Sequence, residues 1–183
     1  MGSEMEDWVV WLAIVLGLVA SAPSLSPVPE RSRPRPNEAW AGDLHLVQIW
    51  SDSQERFLKE WAQPTPPHLT TTSRIERNKP IFLFVVFDSC KADVNGKCNL
   101  VGSIDIIDPE GATYGRHDGV KFWDNQPAPK PGLLALSPGG ISLVIENGEK
   151  LGRYSIRVAV TDTVANVTAR TEDTITVVEA GAR

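Results

Sequence analysis

Apolar and polar side chains alternate over several short runs of this chain, and turn-forming residues separate the runs. Tyr154, Ile156, Val158 and Val160 fall on one face, and Ser155, Arg157, Ala159 and Thr161 on the other. That period of two predicts a strand with one buried and one wet face. Leu100, Ile104 and Ile106 within 98–107 repeat the pattern, as do Ile141, Leu143 and Ile145, and 166–178 carries a weaker version through Val167, Ala169, Ile175 and Val177. Residues 81–87 differ, because Ile81, Leu83, Val85 and Phe87 are backed by Phe82, Phe84 and Val86. Such a strand needs cover on both faces. Asp108-Pro109-Glu110-Gly111, Pro138-Gly139-Gly140 and Asn147-Gly148 supply the backbone angles of turns between these runs. The pattern predicts a mainly β chain folded as an antiparallel β-sandwich of seven to nine strands.

One segment has a different period. In 51–62 (SDSQERFLKEWA), Phe57, Leu58 and Trp61 share a helical face, Ser51 and Gln54 have capping-box spacing, and Pro64 follows. A short amphipathic helix is expected there, supplying part of the second cover for 81–87.

The amino-terminal region sets the domain limits. Residues 8–22 (WVVWLAIVLGLVASA) are apolar or small, shorter than the roughly 20 residues that span a bilayer as a helix, and end in small residues suited to a signal peptidase. The preceding MGSEMED is acidic where a secretory leader is normally basic. A retained anchor is the alternative, although Arg31, Arg33 and Arg35 beyond it would then hold the domain in the cytoplasm. The expected organisation is 1–22 signal peptide or anchor, 23–41 proline-rich linker, and 42–180 one sandwich domain. The chain has 18 basic and 23 acidic residues. Loss of 1–22 removes Glu4, Glu6 and Asp7 and leaves a net charge of −2, which makes nucleic acid an unsuitable partner.

Cys90 and Cys98 are the two cysteines. Their spacing is too wide for a CxxC redox motif, and no further cysteine or nearby histidine completes a zinc site. Asn95-Gly96 between them favours a tight turn, so the pair reads as a disulfide stapling a β-hairpin, with two buried thiols as the alternative. A disulfide in turn points to an oxidising compartment, the periplasm or the cell exterior.

Leu151-Gly-Arg-Tyr154 stands at the entrance to the next-to-last strand. It resembles the tyrosine corner of immunoglobulin-like and fibronectin-like sandwiches, including the bacterial exported and macroglobulin-type domains. The resemblance covers residues 70–178 and implies an immunoglobulin-like fold with the Tyr154 hydroxyl bonded to nearby backbone. The inter-sheet disulfide and core tryptophan of that family are not in their usual places, and no catalytic or ligand residue carries over.

Candidate chemistry is sparse. His45, His68 and His117 stand apart, and His117-Asp118 in a glycine-flanked segment reads as an exposed turn. Asp93-Val-Asn95-Gly96 resembles the middle of a calcium loop, but Lys91 and Gly102 occupy the first and last ligand positions of an EF-hand. No nucleophile elbow, zincin, Walker or dinucleotide motif occurs. The chain therefore reads as a non-enzymatic exported binding or assembly module without cofactor or metal. Its expected partner is a protein or envelope polymer, with a membrane involved only if 8–22 is retained. A carbohydrate-binding module, with exposed tryptophans among Trp40, Trp50, Trp61 and Trp123, is one alternative. A hydrolase or metal-dependent enzyme joining His117 and Asp118 to a distant carboxylate is another. The expected contact surface is a 121–132 loop with Lys121, Phe122, Trp123 and Asn125, together with the hairpin tip carrying Lys91, Asp93 and Asn95.

Overall fold

The computed structural model describes residues 35–64 and 68–181. The expected leader at 1–22 and most of the linker lie outside them. The linker expected through residue 41 gives way earlier to strand β1, Glu38–Ala41. There follow β2 (Leu44–Ser51), α1 (Gln54–Trp61), β3 (Arg74–Glu76), β4 (Ile81–Asp88), β5 (Lys97–Ile107), β6 (Thr113–Pro127), β7 (Ala135–Leu143), β8 (Gly152–Asp162) and β9 (Val167–Val178). They form a four-stranded sheet, β1-β2-β4-β7, and a five-stranded sheet, β3-β9-β8-β5-β6. Pairing is antiparallel except between β3 and β9. The described residues thus form a mainly β sandwich with one short helix, as the sequence pattern predicts.

The core lies between the sheets. Leu44, Leu46, Ile81, Leu83, Val85 and Phe87 from the first sheet meet Leu100, Ile104, Tyr154, Ile156, Val158 and Val160 from the second, all buried. Burying each such aliphatic side chain contributes about 1.5–3 kcal/mol. At Gly102 a Cβ would stand 1.8 Å from the Ala159 carbonyl oxygen, so the β5–β8 contact requires glycine.

The helix covers β4 as expected. Phe57 is buried and stacks on Phe84 with ring centroids 3.7 Å apart. Its N-cap is Ser53, whose Oγ accepts from the Arg56 N–H at 3.2 Å. Ser51 does not cap the helix because it still pairs with Phe82 in β2.

Three expectations need correction. Cys90 and Cys98 are disulfide-bonded, but β4 and β5 belong to opposite sheets. The bond therefore closes a crossover between sheets; the Asn95-Gly96 turn sits inside that crossover. Pro138-Gly139-Gly140 is not a turn but lies within edge strand β7, where a Cβ on Gly140 would come 2.5 Å from the Leu83 carbonyl oxygen. Finally, His117 and Asp118 lie in β6; this edge strand is exposed along most of its length and lacks the alternation that would have predicted it.

Candidate binding end of the sandwich

The crossover 89–96, the β6–β7 connection 128–134, the β8–β9 turn 163–166 and the Gly42-Asp43 turn gather at one end of the sandwich. They border a cleft of about 600 Å³ lined by residues including Ser89, Cys90, Lys91, Pro129, Pro131, Asp162 and Val167. Register brings the two expected contact segments together, with Lys97 opposite Pro127 and the Ala128 N–H bonded to the Gly96 carbonyl at 3.0 Å.

This end is anchored from beneath. The disulfide fixes the crossover to β5, and the buried Asp162 carboxylate ties it to the neighbouring turn. Asp162 Oδ2 accepts from the Lys91 N–H at 2.7 Å, and Oδ1 accepts from the N–H groups of Val164 and Ala165 at 2.9 and 3.0 Å. A buried carboxylate is tolerated when such donors satisfy it. At the tip, Asp93 Oδ1 accepts from the N–H groups of Asn95 and Lys97. The Lys97 bond, then the Asn95 bond, hold the Asp93 carboxyl below its ordinary value of 3.8. Asp93 therefore builds the turn; Lys91 and Asn95 remain exposed.

The second expected segment divides in two. Residues 121–127 are the end of β6 rather than a loop. Phe122 is wholly buried in the core, which removes it from any contact surface. Trp123 is half-buried, packs edge-on against Phe87 with centroids 5.2 Å apart, and donates Nε1–H to the Pro127 carbonyl at 3.1 Å. Lys121 is exposed and paired with Asp124 at 2.7 Å, and Asn125 is exposed in a left-handed conformation with φ 50°. The apolar groups presented to solvent are instead Val94, fully exposed, with Leu133 and Leu134 at 58% and 48%. Sequence reasoning passed over them; the available signal was an apolar residue inside the polar Asp93-Val-Asn95-Gly96 turn and a Leu pair just after the prolines.

The other candidates do not converge. His117 and Asp118 are exposed, and Asp118 accepts from Arg116 Nε at 2.8 Å. Asp88 is engaged by His45 and Ser89. Among the described residues no group of three or more His, Cys, Asp or Glu is arranged to hold a metal ion. The tryptophans among the described residues form no exposed line: Trp50 is buried, Trp61 and Trp123 are half-buried, and Trp40 is exposed. Trp40 stacks on His45, which lies between Glu38 Oε1 at 2.9 Å and Asp88 Oδ2 at 3.1 Å.

Fold and loop arrangement define a β-sandwich protein whose crossover between sheets is closed by a disulfide. No protein-family model matches the chain, and no curated protein matches its sequence.

Proposed function

We propose that the protein is a non-catalytic binding or assembly module with an immunoglobulin-like fold, exported to the cell envelope or beyond, and that it engages its partner through the loop end. The observation that carries this reading is the exposure of Val94 on the crossover that the disulfide and Asp162 restrain, beside exposed Leu133 and Leu134 on the 128–134 connection, which the Ala128 N–H ties to the Gly96 carbonyl of that crossover. Exposed apolar groups on restrained loops lose little conformational entropy when a partner covers them.

Strand order supports the immunoglobulin-like part of the reading. Sheet orders β2-β4-β7 and β9-β8-β5 run as A-B-E and G-F-C do in that fold, and the Tyr154 hydroxyl donates to the Lys150 carbonyl at 2.8 Å, as in a tyrosine corner. In variable domains the equivalent B–C and F–G loops form the binding end. The disulfide suits an oxidising compartment. No helix of the described residues is long and apolar enough to cross a membrane.

The test is site-specific photocrosslinking in cells, with the reactive side chain at Val94 or Leu134 and a control at Leu151 beyond β7. The expected outcome is a discrete adduct from Val94 and Leu134 and none from Leu151. Adducts from Leu151 alone, or equally from all three, would reject the loop end as the contact surface.

A further inference from the structure

Along one side of the sandwich, edge strand β1 pairs with β2 only as far as Val47 and edge strand β3 pairs with β9 only from Thr176, which leaves the adjoining parts of β2 and β9 without a strand partner on that side. Two chain segments bridge the sheets there. On one side of the opening the Pro36 carbonyl accepts from the Glu172 N–H at 3.0 Å and the Asn37 carbonyl from the Gln48 N–H at 2.8 Å. On the other, the Ser73 carbonyl accepts from the Thr176 N–H at 2.7 Å, and the Thr72 N–H donates to the Trp50 carbonyl at 3.0 Å. They frame a cleft of about 440 Å³ whose lining includes Arg35, Gln48, Trp50 and Asp173, a volume within the range of small-molecule sites.

The polar groups of these four side chains are under-used. Trp50 Nε1 and Gln48 Oε1 are buried without a hydrogen-bond partner, although the Gln48 amide nitrogen donates to Thr171 Oγ1 at 2.5 Å. Asp173 points inward with the parity of buried Thr171 and Ile175, and its carboxylate accepts from the Thr174 N–H at 2.8 Å. Neither Asp173 nor Arg35 has an ion-pair partner among the described residues. Burial, with no cation to offset it, raises the Asp173 carboxyl above its ordinary value of 3.8. Buried polar groups without partners are costly and rare in native proteins, so a cluster of them calls for an explanation.

The four groups divide evenly. Trp50 Nε1–H and the Arg35 guanidinium are donors; Gln48 Oε1 and the Asp173 carboxylate are acceptors. A simple cation in this cleft would meet Arg35, and a simple anion would meet Asp173. A ligand carrying both charges offers each of the four a partner, provided that Gln48 Oε1 and Trp50 Nε1, closed off from solvent, turn toward it. We propose that the cleft binds a free α-amino acid, its ammonium directed to Asp173 and Gln48 and its carboxylate to Arg35 and Trp50. This site is separate from the loop end and stands or falls independently of it.

The test begins with the twenty free amino acids screened at millimolar concentration against the full chain by thermal shift. Calorimetry on the best ligand follows, with indole emission as a second readout. At least one amino acid should raise Tm and change the Trp emission. R35Q and D173N should each weaken that ligand at least tenfold. Its decarboxylated amine and its N-acetyl derivative should fail to bind. R35Q alters an exposed side chain and tests the proposal even if D173N folds poorly. The proposal is overturned if no amino acid shifts Tm, if the amine or the acetylated acid binds as well as the parent, or if R35Q retains full affinity.

Discussion

The two ends of the sandwich are built on opposite principles. At the end formed by the 108–112 and 144–151 connections, charged groups answer one another. Lys150 Nζ donates to Asp108 Oδ2 at 2.5 Å and Glu110 Oε2 at 2.7 Å. Arg77 bridges Glu179 and the Glu149 carbonyl, both at 2.8 Å. The Tyr114 hydroxyl donates to Glu149 Oε1, also at 2.8 Å; burial, reinforced by that carboxylate, pushes its pKa up to about 12. At the loop end, one covalent bond and one buried carboxylate carry the restraint. Lys91 and Lys130 there form no ion pair among the described residues, and Val94, Leu133 and Leu134 face solvent. An end whose charged groups are mostly paired has less to offer a partner, although the Arg77 Nε there is buried without an acceptor. The loop end is restrained underneath and exposes apolar groups on top, which is why the proposed contact surface is placed there.

Asp162→Ala should break the comparison most severely. It leaves three backbone N–H groups without their charged acceptor, a loss of at least about 3 kcal/mol, measured by denaturant unfolding. Hydrogen exchange should quicken at Lys91, Val164 and Ala165 while the 108–112 turn keeps its protection; uniform acceleration would mean that the two ends are not separable. Reduction of Cys90–Cys98 comes next, at about 2–3 kcal/mol through the unfolded chain's regained freedom. The expected outcome is a lower unfolding midpoint with reductant and a loosened 89–97 segment.

The smallest effect belongs to the ion-paired end. Its surface pairs are screened by salt, so Lys150→Ala should change the unfolding midpoint slightly at low ionic strength and not at all at high. Acid acts there too. The Lys150 bond, then the Ala112 N–H, hold the Asp108 carboxyl below 3.8. A depressed carboxyl contributes stability that is present above its unfolded value and lost as pH falls through the folded one. NMR shifts of the 108–112 turn should therefore move below pH 3.8, and so should those of the 93–97 turn at the other end, where the Asp93 carboxyl is depressed in the same direction; the disulfide itself does not titrate.

The difference between the ends was half legible in the sequence. Asp108-Pro-Glu-Gly111 announced its turn, and Leu151-Gly-Arg-Tyr154 pointed to the local bond that the Tyr154 hydroxyl makes to the Lys150 carbonyl, because both act through residues close in the chain. Their ion pairs did not, since Lys150 meets Asp108 across 42 positions. At the loop end the cysteines and the Asn95-Gly96 turn were plain. Asp162 was not, because nothing in a carboxylate at the end of a strand says which backbone groups will surround it. Phe122 was misjudged for a related reason: its neighbours Lys121, Trp123 and Asp124 suggest a surface loop, whereas it lies buried at an irregularity of the β5–β6 register, between Trp123 opposite Leu100 and Lys121 opposite Val101.

Local physics was within reach of the sequence alone. Side-chain alternation determines which residues of a strand share a face, turn residues determine where the chain can reverse, and eight positions of separation let Cys90 meet Cys98. Tertiary structure decided which sheet each strand joined, and with it whether the cysteines staple a hairpin or a crossover between sheets. The physical reason is that strands pair through backbone N–H and C=O groups, which are the same at almost every residue. Partner choice is settled by the packing of the whole core, and the exposed groups at the loop end are what that packing leaves over.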